Sequence, residues 1–323
     1  MSTPNRISKV AVVGAGGNVG RFITEAILNT GKHSVTALTR VGSQTTLPEG
    51  VAKRAVDYDK QETLVEALRG HDALVITVNG QAAVKDIQEQ LVKAAEEAGV
   101  HWILPNEWSP DSTHEGILKD LPLFQVLAAT RKRIEQGGKS SYVALVTGMW
   151  YEWSLAIPQA YGFDFANRKV TLFDNGETKL STSTWPQVGR AVASLLSLPI
   201  KPEGSNEASL EDFKNKVVYV NSFTVSQNDM LASVLRVTGT KEADWTITQE
   251  PSQQRFAEGL QQMQEGNHKG FVKWLYTRIF FRDGCGDFEH SKGVSNQILG
   301  LPNEDIDEAT NVAIERQKSL GEH

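Results

Sequence analysis

Cysteine is nearly absent: Cys285 is the single one in 323 residues, so the chain can form neither an intrachain disulfide nor a cysteine-rich zinc cluster. Its setting, Arg282-Asp283-Gly284-Cys285-Gly286-Asp287, reads as a tight turn and not as the surroundings of a nucleophile. No uninterrupted apolar run approaches the roughly 20 residues needed to span a bilayer. The first six residues also lack the basic-then-apolar order of a secretory signal. The expectation is a cytoplasmic protein with no membrane partner and no metal. Cations are not in excess either. With 33 Lys and Arg against 39 Asp and Glu the net charge is −6, which argues against a nucleic-acid surface, because that needs clustered cations to displace counterions. What remains is ordinary globular composition, 40% hydrophobic and 22% charged, in a chain long enough for one large or two smaller domains.

Glycine, by contrast, is concentrated where it informs. The apolar run Ile7–Val13 leads into Gly14, Gly16, Gly17, Asn18, Val19 and Gly20. Phe22, Ile23, Ala26 and Ile27 then recur at helical spacing until Gly31. This reads as strand, glycine turn and helix. In such a unit the first glycine allows a sharp turn, the middle ones let backbone N–H groups approach a pyrophosphate, and the last permits close helix–strand packing. The anion then meets the positive end of the helix. The spacing Gly14-x-x-Gly17-x-x-Gly20 is a relative of the dinucleotide pattern Gly-x-Gly-x-x-Gly. The second strand closes on Thr39 and Arg40, where an NAD-selective site would place an acid for the ribose hydroxyls. A guanidinium binds a 2′-phosphate in a bidentate way, so the expected cofactor is NADP(H).

Up to about residue 150 short apolar runs alternate with amphipathic helices, the signature of a parallel sheet covered on both faces. Strands are predicted at 7–13, 34–39, 52–56, 73–78, 102–104 and 142–146, and helices at 21–30, 60–68, 84–98 and 121–136. Residues 1–150 are therefore assigned to a dinucleotide-binding Rossmann-type domain, a doubly wound α/β sheet. Residues 151–323 are assigned to a smaller, mostly helical substrate-binding region without a sheet core of its own. Within it, residues 170–173 and 178–184 suggest a hairpin about Asn175-Gly176. A helix is predicted at 186–198, a strand returning to the main sheet at 217–220, and helices at 226–237, around 271–281 and from about Asn303 onward.

Ligands of such sheets bind at the carboxyl ends of the strands. Those ends supply Asn79 and Gly80, then Asn106, Glu107 and Trp108, and after the sixth strand Trp150, Tyr151 and Trp153. Asn79, Gly80 and Asn106 are candidates for the nucleotide, and Glu107, Trp108, Trp150 and Tyr151 for a substrate pocket.

Together these features give the chain a pattern that resembles the NmrA-like and isoflavone reductase-like families of atypical short-chain dehydrogenases, most closely their fungal members. The resemblance is carried by the three glycines, Thr39-Arg40, His71-Asp72-Ala73, the loop from Leu104 to Trp108, the segment from Arg131 to Glu135, and Leu299-Gly300-Leu301-Pro302. It implies a Rossmann-type fold, an NADPH site and a C-terminal substrate region. It also implies a lysine, four residues before Arg131, that assists proton transfer in the reductase members. Here that position is Leu127, and Leu123 stands where ordinary short-chain dehydrogenases carry the tyrosine of Tyr-x-x-x-Lys. Leucine moves no proton. Arg131, one helical turn from Leu127, could orient an anion. His114, Lys119 and Tyr151 are the titratable candidates for the missing role. Three functions follow. The first is an NADPH-dependent reductase of a small aromatic or polyketide-like molecule. The second is a non-catalytic NADP(H)-sensing regulator with a protein partner, and the third a non-redox isomerase, lyase or cyclase on the same fold.

Overall fold

The computed structural model describes residues 5–78, 84–204 and 207–321. Its first half is a parallel sheet. Strands β1 (Lys9–Val13), β2 (Ser34–Arg40), β3 (Ala52–Val56), β4 (Ala73–Ile76), β5 (Trp102–Leu104) and β6 (Ser141–Val146) are joined by a later strand, Lys216–Tyr219. Across the sheet the order is 216–219, β6, β5, β4, β1, β2, β3. The chain runs outward from β1 to β3 and then crosses back to β4, so β1 and β4 flank the switch point where such sheets open a crevice. Register is fixed by burial. Every residue of β4, β5 and β6 is buried, as expected for strands covered on both faces.

Helix α1 (Asn18–Asn29) buries Gly20, Ile23, Thr24 and Ile27 at i, i+3, i+4 and i+7; of the stripe read from the sequence, Ile23 and Ile27 are buried and Phe22 and Ala26 are half-buried. Each fully buried isoleucine on that stripe contributes about 2 kcal/mol. It ends at Thr30, followed by Gly31 at φ +66°. Helices α2 (Gln61–Leu68) and α3 (Val84–Ala98) follow the predicted pattern. In place of the predicted helix 121–136 stand a 3-10 turn over Pro122–Phe124 and then a helix over Gln125–Gly137 (α5), preceded by a short helix not predicted from the sequence, α4 (Glu115–Asp120). Pro122, with no N–H to donate, marks the break. Asp72 fixes the entry to the sheet by accepting from the N–H groups of Ser8 and Lys9, each at 2.8 Å.

The second half has its own core, rich in Tyr151, Tyr161, Phe163, Phe173 and Phe280, and two three-stranded sheets. The expected hairpin does not form. The turn is present, with Gly176 at φ +71°, but its arms enter different sheets. Lys169–Phe173 has both edges occupied, antiparallel by Phe163–Asp164 and parallel by Thr246–Glu250. Leu180–Ser183 pairs instead with Phe223–Val225 and Met149–Trp150. Distant strands filled the edges a hairpin would have used. The last helix, Ile306–Gly321, starts three residues beyond Asn303, because Glu304 is diverted to accept from Thr184 at 2.8 Å and to pair with Arg190 at 2.5 Å.

The two halves interlock. The helix Trp185–Ser197 is capped by Thr184, whose hydroxyl oxygen accepts from the Gln187 N–H, and carries Pro186 in its first turn. It crosses α1 so closely that a Cβ on Gly189 would lie 2.5 Å from the Phe22 carbonyl oxygen. The predicted late strand is found at 216–219, parallel to β6.

Candidate active site

At the switch point the glycine turn is a tight cradle. Gly14 has φ +80°, and a Cβ there would lie 2.1 Å from the Thr77 carbonyl oxygen. A Cβ on Gly20 would lie 2.0 Å from the Gly14 carbonyl oxygen, and one on Gly16 would lie 2.3 Å from Thr45. The turn is closed by the Gly17 N–H donating to the Gly14 oxygen at 2.8 Å. Thr77, at the end of β4, donates its hydroxyl to the Val13 oxygen at 2.7 Å. No side chain caps the start of α1 and no acid stands in its first turn, so its first N–H groups and the positive helix end are free for an anion.

A cavity of about 700 Å³ opens directly onto that helix end. Gly17, Asn18, Val19, Gly20 and Thr77 form one end, and Asn106, Trp108 and Ser109 overhang it. The far end is apolar: Phe124 from the 3-10 turn and Leu127 from the start of α5 line it together with Trp150, Trp153, Trp185 and Tyr276. The overhanging loop is held from several sides. Gln88 accepts from the Asn106 N–H at 2.6 Å, Trp108 donates its indole N–H to the Ile76 oxygen at 2.8 Å, and the Ser109 oxygen accepts from Gly148 N–H at 3.1 Å. The tryptophan wall is backed by Arg316, whose guanidinium lies 4.1 Å from the Trp153 ring centre and 4.8 Å from that of Trp185. Between Trp150 and Trp153 in sequence, Glu152 is buried and accepts from the Trp185 N–H at 2.7 Å. Its other oxygen has no hydrogen bond. Burial pushes this carboxyl up to about 7, opposed by the Trp185 N–H and reinforced by the nearby Glu304.

The sequence profile of the NmrA-like family matches residues 6–184, more than half of the chain. The chain belongs to the NmrA-like family. Among curated proteins, this NmrA-like chain is 29% identical over 306 residues to the oxidoreductase aprR of Aspergillus flavus, covering 93% of this chain and 96% of that protein. It is 26% identical over 313 residues to the oxidoreductase poxI of Penicillium oxalicum, covering 93% and 92%. Among solved structures, isoflavone reductase superposes with a TM-score of 0.72 at 22% identity, over 96% of this chain and 99% of that one. The leucoanthocyanidin reductase–NADPH complex from Vitis vinifera superposes with 0.76 at 16% identity, over 95% and 100%. At these identities the structural likeness concerns the fold.

In this NmrA-like fold several sequence candidates lie away from the cavity. Tyr151 is not in its wall. The side chain is fully buried in the second core, stacked edge-on against Phe223 with centres 5.1 Å apart, and its hydroxyl is bound to Thr310 at 2.8 Å. Burial raises its pKa strongly, which unsuits it to exchange protons with a ligand it does not meet. Glu107 is also turned inward, buried against Arg131 and Ser112. Arg131 thereby spends its charge within the protein, donating to Ser112 at 2.8 Å as well, and has none left for a substrate anion. His114 stands at the start of α4 and Lys119 is exposed on it; neither lines the cavity. Thr39 is buried with its hydroxyl oxygen unpartnered, and Arg40 is exposed at the end of β2. Asn79 and Gly80 lie outside the described residues. Leu127, at the family's lysine position, does line the cavity.

Sequence reasoning missed Trp185 and Tyr276 as wall residues. Trp185 directly precedes the predicted helix 186–198, and Tyr276 lies inside the one predicted around 271–281. Only the tertiary fold selects the face that meets the cavity. Among the described residues no group of three or more His, Cys, Asp or Glu could hold a metal ion, and no helix is long and apolar enough to cross a membrane.

Proposed function

We propose that the protein binds NADP(H) in the Gly14–Gly20 cradle and reduces a small, planar, aromatic or polyketide-like molecule held against the tryptophan wall. The observation that carries this reading is continuity: the uncapped N-terminus of α1 and the apolar wall belong to one cavity. The backbone N–H groups of Asn18 and Val19 would hold the pyrophosphate. Arg40, with Thr39 beside it, would hold the 2′-phosphate. The bound nucleotide supplies hydride. The chain's own part is to orient the acceptor between Leu127 and the tryptophans and to exclude water from it. The fungal relatives carrying the name oxidoreductase agree with this chemistry.

Leu127 is the specific observation that favours a second reading, an NADP(H)-sensing regulator of the NmrA type or a non-redox isomerase or lyase, since the wall lacks the family's lysine. Calorimetry with NADPH and NADH on the purified protein, followed by NADPH oxidation with aromatic enones, quinones and ketones, separates them. NADPH-selective binding with turnover supports the reductase. Selective binding without turnover moves the second reading forward, and absence of NADPH binding overturns both.

A further inference from the structure

Among the described residues the three sheets end in six edge strands, and five of them are guarded in ways that limit chance pairing. β3 carries Lys53 and Arg54, both exposed. The strand 216–219 begins on exposed Lys216, and its last carbonyl oxygen, that of Tyr219, accepts from the Ser295 N–H at 2.8 Å. Met149–Trp150, Phe163–Asp164 and Phe223–Val225 are only two or three residues long. The strand Thr246–Glu250 has none of these guards. It is five residues long, holds no lysine, arginine or proline, and exposes Thr246, Ile247, Thr248 and Gln249. Its one strand partner, Lys169–Phe173, runs parallel to it. The Thr246 N–H donates to the Arg168 oxygen at 2.8 Å and the Glu250 oxygen accepts from the Asp174 N–H at 2.9 Å. By the two-residue period, Thr246, Thr248 and Glu250 therefore turn their backbone groups inward. Those of Ile247 and Gln249 point outward, and no described residue bonds to them.

We propose that this edge docks a second copy of the chain, the two strands pairing antiparallel across a two-fold axis at Thr248. The register follows from which groups point outward. To use both outward residues of both chains, Ile247 must face Gln249 of the partner subunit, and Gln249 the partner's Ile247, each pair exchanging two backbone hydrogen bonds. Thr248 then faces the partner's Thr248 in the closer, non-bonded pair between them, and Thr246 faces the partner's Glu250. The charges fit this register as well. Glu250 is the strand's one ionisable side chain, and it meets a threonine instead of its own copy. Its charge is already matched within the protein by Arg255 at 2.6 Å and Lys273 at 3.0 Å. Ile247, 37% exposed, gives up water as the strands meet. Because both chains use the same edge, the pairing closes at two and leaves no further edge of this kind. Five residues a side make a small interface, so the dimer is expected to be weak and concentration-dependent.

The test is sedimentation equilibrium of the full chain from micromolar to millimolar concentration, where the mass should rise from that of one chain towards that of two. Thr248→Lys sets two ammonium groups against each other at the axis and should raise the dissociation constant roughly fivefold or more. Its circular dichroism should match the wild type, since the side chain is exposed. A second set of variants reads the register directly. In a non-bonded antiparallel pair the Cα atoms stand about 4.5 Å apart, a separation a disulfide can span. Thr248→Cys should therefore cross-link to its own copy on mild oxidation at least about fivefold faster than Ile247→Cys or Gln249→Cys, whose copies lie diagonally across the axis. The native Cys285 is buried and does not compete. A wild type that stays monomeric throughout, or a dimer that Thr248→Lys leaves intact, overturns the proposal. Equal cross-linking of the three cysteine variants overturns the register. A monomer that instead binds a free peptide of residues 245–251, read by fluorescence anisotropy, assigns the edge to an extended segment of another protein and overturns the second copy.

Discussion

Replacing Glu152 by glutamine isolates a charge buried behind the tryptophan wall. The carboxyl is 4% exposed, one oxygen accepts from Trp185 N–H at 2.7 Å and the other has no partner, so the ionised form is poorly satisfied. Folding moves its pKa from an ordinary 4.5 to about 7. At 1.36 kcal/mol for each tenfold, the folded state favours the protonated form by roughly 3 kcal/mol. The sign follows from linkage. The folded state binds the proton more tightly, so this stability is complete below pH about 4.5. It declines as the pH rises, and it is lost above about 7. Glutamine keeps an acceptor for the Trp185 N–H and never ionises. Urea unfolding followed by tryptophan fluorescence at pH 5, 6, 7 and 8 should show the two proteins within about 1 kcal/mol of each other at pH 5. By pH 8 the variant should lead by roughly 3 kcal/mol. Other titrating groups, such as the buried His33 and His71, are common to both proteins and cancel in the difference. Parallel curves across the whole range would refute the argument.

Arg40→Ala should weaken NADPH binding by roughly 1–3 kcal/mol and NADH binding little, as measured by calorimetry; equal losses would mean the arginine does not meet a 2′-phosphate. Gly20→Ala places a methyl group 2.0 Å from the Gly14 oxygen, so the turn must open, and nucleotide titration should show binding reduced at least tenfold with a lower Tm. Trp108→Phe removes the 2.8 Å bond to the Ile76 oxygen. It should cost about 1 kcal/mol in urea unfolding and raise KM for aromatic acceptors without altering NADPH affinity.

The parallel sheet was legible because its signals are local: apolar strands of fixed length, helices with a 3.6-residue stripe, and a turn whose glycines have no substitute. β3, β5 and α3 fall where the pattern puts them, residue for residue. What was not legible depends on partners far away in the chain. Arg131 and Glu107 each look available in sequence, and it is their meeting that removes both from the surface. Tyr151 and Tyr276 are both tyrosines among aromatic neighbours. One is enclosed by Thr310, 159 positions away, and the other reaches the cavity from a helix that no motif marks. The failed hairpin has the same origin, since a local turn cannot disclose that its first arm will be paired on both edges by other strands.

The strand at 216–219 bears on how this chain could be cut. β6 is buried along its whole length, and the segment that covers its outer side arrives some 70 residues later in sequence. A fragment stopping near residue 150 would retain every glycine of the cradle and yet present a bare row of backbone N–H and C=O groups on an apolar ribbon. That is a template for self-association. Shortening the protein to its nucleotide-binding half should therefore yield aggregates and not a minimal binder, while the complete chain carries its own protection against them.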